Sequence, residues 1–263
     1  MNGIIDVHTH AFADHIAKSA VEVLEKSAGI KAYLDGTVAD LKRSMKEAGI
    51  VRSLVQPVAT KPSQVKAIND WAHRISDGSI ISFGTIHPLS QDWKEEIERL
   101  KRLGIPGVKF HPDYQDFYPD EVAMFPIYEA LVANGLIVFF HAGVDIGLPP
   151  PVHGTPERIA KVLDNFPEMK VVAAHLGGYK MWDEVEDHLV GREIYLDTSY
   201  TIDYLDENIF LRIIKCHSIK KIVFGSDSPW KDQKREVQSI LELDISDPEK
   251  EKILCTNAED LLG

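Results

Sequence analysis

The chain is poor in cysteine. Its 263 residues contain only Cys216 and Cys255, too few for a disulfide framework, and their surroundings show no metal-finger spacing. A reducing compartment is the simplest expectation. Basic residues are outnumbered: 29 Lys and Arg stand against 41 Asp and Glu, a net charge of −12. That balance argues against nucleic acid or an anionic membrane surface as a partner, since both select basic faces. Long apolar runs are missing too. LIVFF at 136–140 is among the longest, far short of the roughly 20 residues a membrane helix needs. Nothing before Ile4 has the basic-then-apolar form of a secretory signal. No Gly-x-Gly-x-x-Gly follows the first apolar run, so a dinucleotide site there is not expected. Low-complexity tracts and linkers are absent. The expectation is a soluble, cytoplasmic protein acting on a small molecule, with a homo-oligomer left open.

What the sequence does have is a rhythm. Short, β-rich apolar runs alternate with longer amphipathic stretches. The runs are IIDVHTH (4–10), IVRSLVQP (50–57), SIISFGTIHP (79–88), PGVKFHP (106–112), LIVFFHAG (136–143), KVVAAHLGG (170–178), EIYLDTS (193–199) and KKIVFGSD (220–227). Between them lie helix signals. Thr37 and Thr155 stand at cap positions, Pro156 at a first helical position, and Gly49, Gly104 and Gly135 at helix ends. About eight strands, each followed by a helix, is the count of an α/β (β/α)8 TIM barrel, here read as a single domain over 1–263. An open doubly wound sheet is the runner-up, but it usually has fewer strands.

Polar residues fall at particular places in this pattern. A strand sends alternate side chains to opposite faces. By strict alternation Ile4, Asp6, His8 and His10 share one face of the first strand, predicted to point into the barrel. Gly107, Lys109 and His111 repeat that parity. His141, His175 and Asp227 each close an apolar run. All lie at C-terminal strand ends, where barrel enzymes build their sites. One buried histidine bonded to a carbonyl is ordinary, and His87 and His217 are read that way. His15, His73 and His188 fall on helices. Lys109 alone could snorkel and Asp227 alone could cap a helix. Five such residues at equivalent strand ends call for a common cause, and a divalent cation supplies one. Histidines two apart on a strand can present two nitrogens to one ion about 2.0–2.1 Å away. Asp6, expected below on the same face, could orient one of them.

This constellation resembles the amidohydrolase superfamily. Members carry a metal site in a (β/α)8 barrel, with HxH after strand one, histidines after strands five and six, and an aspartate after strand eight. His8, His10, His141, His175 and Asp227 match those places in order, and the resemblance covers the whole chain. The closing NAEDLLG (257–263) looks like the ending of the decarboxylase-like branch, which contains aminocarboxymuconate-semialdehyde decarboxylase, related aromatic-acid decarboxylases, and lactone and other hydrolases.

The resemblance implies one metal ion, with zinc expected and manganese or another divalent ion allowed, held by His8, His10, His141 and Asp227. His175 would then be free for catalysis, and Lys109 and His111 would face an anionic substrate. A two-metal version, in which Lys109 resembles the carboxylated lysine of dihydroorotases and His175 is also a ligand, is the alternative. The main expectation is hydrolysis of an amide, ester or lactone: Asp227 moves the proton of a metal-activated water and His175 polarises the carbonyl. The alternatives are non-oxidative decarboxylation on the same site, a hydratase or isomerase, and an inactive binding scaffold. Metal analysis separates the scaffold from the enzymes.

Overall fold

Short runs rich in β-branched and aromatic residues make the strands of this protein, and their pairings are all parallel. The computed structural model describes residues 3–263. The strands are β1 (Ile4–Thr9), β2 (Ile50–Val55), β3 (Ile80–Ser82), β4 (Gly84–Thr85), β5 (Gly107–Phe110), β6 (Ile137–Phe140), β7 (Val171–Ala173), β8 (Tyr195–Asp197) and β9 (Ile222–Val223). They pair in the orders β1-β2-β3 and β4-β5-β6-β7-β8-β9. β9 closes onto β1 through the Val7 N–H donating to the Phe224 carbonyl (2.8 Å) and the Asp227 N–H donating to the His8 carbonyl (2.8 Å). The result is a barrel, as the alternation of elements predicts.

The third predicted run, 79–88, is two short strands rather than one. The Ser82 hydroxyl donates to the Phe83 carbonyl at 3.0 Å, so that carbonyl is engaged by a side chain at the point where the ladder breaks. The Phe83 N–H still donates to the Val55 carbonyl (2.9 Å), which holds both pieces in one barrel position. The nine strands therefore fill eight places.

Two apolar layers follow from strand parity. Val108, Phe110, Val138, Phe140 and Leu196 pack outward with helix residues such as Leu41, Ile97, Leu131 and Ile213. Ile5, Val7, Leu54, Phe83, Phe139, Val172 and Val223 form the inner cluster, and Ala258 and Leu261 of the C-terminal helix Asn257–Leu262 join it. Thr37 and Thr155 cap the helices Val38–Ala48 and Pro156–Asn165, accepting from the N–H groups of Asp40 and Arg158. Asp92 makes no such bond to the helix it precedes. Among the described residues no helix is long and apolar enough to cross a membrane.

The first strand departs from strict alternation. Ile5 and Val7 lie in the inner cluster, while Ile4 packs against the outer one. Asp6 also faces outward, bonded to Ser226 and to Gln233 at the start of the helix Gln233–Glu242. The register between β1 and β2 shifts between Asp6 and Thr9. A bulge of this kind places two successive residues on one face, and it brings His8 inward after Val7. The bulge forms where Asp6 Oδ1 accepts the His8 N–H at 3.1 Å.

Candidate metal centre

His8 and His10 emerge from β1 just past the bulge, and Asp227 from the segment after β9. The ligand atoms of the three all lie within 4.8 Å of one another. His8 Nε2 is 3.2 Å from His10 Nε2 and 3.6 Å from Asp227 Oδ1, and His10 Nε2 is 3.2 Å from the same oxygen. Gly225 makes room for this. A Cβ there would lie 2.8 Å from the His8 Cβ, so any side chain would push the imidazole away. His175 and Asp227 both hold left-handed backbone conformations, at φ 59 and 65, a strain that non-glycine residues sustain only where the surroundings fix them.

The donor set itself tests whether a cation fits. His8 Nδ1 is 2.8 Å from Asp197 Oδ2, and His10 Nδ1 is 2.9 Å from the Gln56 carbonyl. Both partners can only accept, so both neutral imidazoles donate from Nδ1 and present bare Nε2 lone pairs. Two lone pairs and a carboxylate oxygen thus face one point. Among the described residues Lys109 Nζ, 3.3 Å from His8 Nε2, is the donor that approaches them. Two ligands about 2.0–2.1 Å from one tetrahedral ion lie about 3.3 Å apart, close to the spacing seen. The residues fit a divalent cation.

Electrostatics agree with a bare imidazole at His8. Burial, then the nearby Lys109, pushes His8 well below its ordinary range. Lys109 is itself fully buried, with Nζ 4.3 Å above the Phe139 ring. Burial lowers it to about 8, partly offset by Asp197 and Asp227.

His141 stands apart from the three. Its Nδ1 lies 3.2 Å from His175 Nε2, its ring stacks on His111 at 4.1 Å, and its buried Nε2 has no hydrogen-bond partner. His111 in turn pairs with Asp145 (3.1 Å) and accepts the Tyr114 N–H at Nδ1 (3.3 Å). That acceptor role leaves the neutral His111 with its proton on Nε2, pointing at Asp145. His175 Nδ1 donates to the Ser199 carbonyl (3.1 Å), which leaves its Nε2 as the ring nitrogen that faces His141.

One sequence expectation changes here, at Asp6. Asp6 does not orient a ligand imidazole, because it lies outside the barrel wall; the carboxylate on His8 is Asp197. Its signal was a strand-end aspartate in EIYLDTS, the same kind of signal as Asp227. Phe117 is buried in the outer core against Phe110. The rim carries instead Tyr179, Tyr200 and Tyr204, with Tyr200 and Tyr204 stacked at 4.9 Å and Tyr179 6.2 Å from the His175 ring. His217 bonds the Ile194 carbonyl (2.9 Å), as a structural histidine should.

Compared with known families, residues 5–263 match the amidohydrolase profile. The chain belongs to the amidohydrolase family. No curated protein matches the sequence of this amidohydrolase. Among solved structures it is similar to an uncharacterised TIM-barrel protein from Bordetella bronchiseptica, at 21% identity over 98% of both chains with a TM-score of 0.77. It is also similar to 5-carboxyvanillate decarboxylase from Sphingomonas paucimobilis, at 16% identity over 98% of both chains with a TM-score of 0.74. A third is a dihydroxybenzoic acid decarboxylase from a Polaromonas species, solved with manganese and 2-nitroresorcinol, at 19% identity over 100% of this chain and 97% of the other, TM-score 0.76. At these identities the likeness is one of fold.

Proposed function

We propose that this amidohydrolase is a metal-dependent carboxy-lyase that removes CO2 from a small, flat carboxylic acid. The observation that carries the reading is a buried cation, Lys109, set against the ligand group of His8, His10 and Asp227, with an imidazole, His175, beside that group and not part of it. The names of two structural neighbours, both decarboxylases, support it. A divalent ion held by the three residues would supply positive charge to substrate oxygens. Zinc fits the donors, and manganese is the ion in the Polaromonas neighbour.

The protein groups then have separate tasks. Lys109 Nζ binds the substrate carboxylate, a charge-assisted contact strengthened by burial. Tyr179, Tyr200 and Tyr204 offer flat faces for a conjugated ring. When protonated on both nitrogens, His175, anchored at Nδ1, delivers the Nε2 proton to the carbon from which CO2 departs. The step balances as carboxylate plus proton giving CO2 and a C–H bond. Asp227 is the second candidate for holding that proton.

Hydrolysis, the main sequence expectation, remains the second reading because Asp227 Oδ1 sits 3.2 Å from His10 Nε2, where it could accept a proton from an attacking water. Incubating metal-loaded protein with aromatic carboxylates, lactones and amides, with products identified by mass, separates the two. Release of CO2 with a product lighter by that mass supports the lyase. Activity only on lactones or amides supports the hydrolase.

A further inference from the structure

We infer that Asp197 is the positioning residue of the centre: it sets the tautomer of His8 and ties His175 to the same carboxylate. This rests on the reading of His8 as a metal ligand. Asp197 ends β8 and is fully buried. Oδ2 accepts from His8 Nδ1 at 2.8 Å. Oδ1 accepts the backbone N–H of His175 (3.0 Å), the backbone N–H of Ser199 (2.8 Å) and the Ser199 hydroxyl (2.5 Å). Four donors thus meet the carboxylate, three at Oδ1 and one at Oδ2. His8, His175 and Asp197 also form a group with metal-ligand spacing, but Asp197 Oδ2 meets His8 at Nδ1, the nitrogen turned away from His10 and Asp227. Its work is done through its neighbours.

The two histidines of the first strand are held differently. His10 leans on a backbone carbonyl, that of Gln56, which no substitution removes. His8 leans on a side chain. With a carboxylate at Nδ1, the His8 proton stays there and Nε2 is bare toward the ligand group. An amide in place of the carboxylate reverses this. Turned one way, its NH2 faces the His8 Nδ1–H. Turned the other way, it faces the three donors now on Oδ1. The first orientation sacrifices one contact and not three, and His8 relieves it by moving its proton to Nε2, where the proton blocks the ligand position. The same carboxylate fixes the His175 backbone, so the metal ligand and the proton-carrying imidazole share one support. The Ser199 hydroxyl lies 2.9 Å from His8 Nδ1 and 3.0 Å from His175 Nδ1, and is the one competing candidate for the role.

Long-range nitrogen spectra of the imidazoles in metal-free protein test this directly. Wild type is expected to show His8 protonated at Nδ1 and bare at Nε2. Asp197→Asn is expected to reverse His8 and leave His10 unchanged. Its affinity for Zn²⁺ and Mn²⁺, measured against a competing chelator, should fall about 10- to 100-fold, with circular dichroism unaltered. Ser199→Ala should leave the His8 tautomer as in wild type. A proton on His8 Nε2 in wild type overturns the inference, and so does a folded Asp197→Asn with unchanged tautomer and affinity, or a reversal in Ser199→Ala. The wild-type spectrum decides even if Asp197→Asn fails to fold. If wild type binds no divalent ion, the metal reading fails by itself, and the spectra still judge Asp197.

Discussion

Asp6 and Ser226 are joined on the outer face of the barrel wall: the Ser226 N–H donates to Asp6 Oδ1 at 3.0 Å and its hydroxyl to Oδ2 at 2.6 Å. Ser226 precedes Asp227, and Asp6 also accepts the His8 N–H. The seam between the first and last strands is therefore fastened where both supply residues of the metal group. Gln233 adds a fourth donor at 2.8 Å, which is how a carboxylate can lie fully buried.

The metal depends on the first strand. Replacing His8 and His10 together with alanine should abolish retention of the ion, with wild type holding one divalent ion per chain. Metal analysis of purified protein measures both. An unchanged metal content in the double variant would show that the pair is structural.

Lys109→Met should keep the ion and raise KM about 10- to 100-fold, the loss of one charge-assisted hydrogen bond of about 1.5–3 kcal/mol. Steady-state kinetics and metal analysis on one preparation check this. Two ions in wild type and one in the variant would make Lys109 a bridge between metals and replace the single-ion account.

His175→Asn should retain metal and fold while kcat falls by about 10²–10⁴, the usual contribution of a positioned acid or base. Loss of metal in proportion to activity would make His175 a ligand.

Glu236 gives a pH test away from the centre. Burial pushes its carboxyl from 4.5 up to about 7, with Lys231, 3.5 Å away, offsetting only part and Asp203 adding to the rise. Between those values the folded protein keeps a proton that the unfolded chain has released, so stability falls as pH rises through the window. Glu236→Gln has no such proton to lose. Its stability relative to wild type should climb by about 3 kcal/mol between pH 4.5 and 7 and then level off, by urea unfolding at a series of pH values. A flat difference would mean that Glu236 titrates as an ordinary carboxylate.

The barrel was legible because its signal is redundant: eight apolar runs and the helices between them all point to one architecture. The convergence of His8, His10 and Asp227 was legible because strand ends of a barrel share one rim. Strict alternation failed at Asp6. Period-two reasoning has no term for a bulge, and here the bulge arises from one side chain capturing the N–H two residues on. Asp197 was passed over for a different reason. It offers a single strand-end carboxylate, and only the fold shows that its oxygens meet His8 and His175. The tyrosines of the rim lie 21 residues apart at positions 179 and 200, with nothing in their spacing to link them.

The glycine that admits His8, the carboxylate that steadies it and the oxygen that completes its group stand at positions 225, 197 and 227, all far along the chain from His8. During synthesis the first strand emerges well before them and has nothing to close against until β9 has followed. Contacts of such long sequence separation form late. A nascent chain of this protein therefore cannot hold its ion at the final site, and loading must follow the closing of the ring.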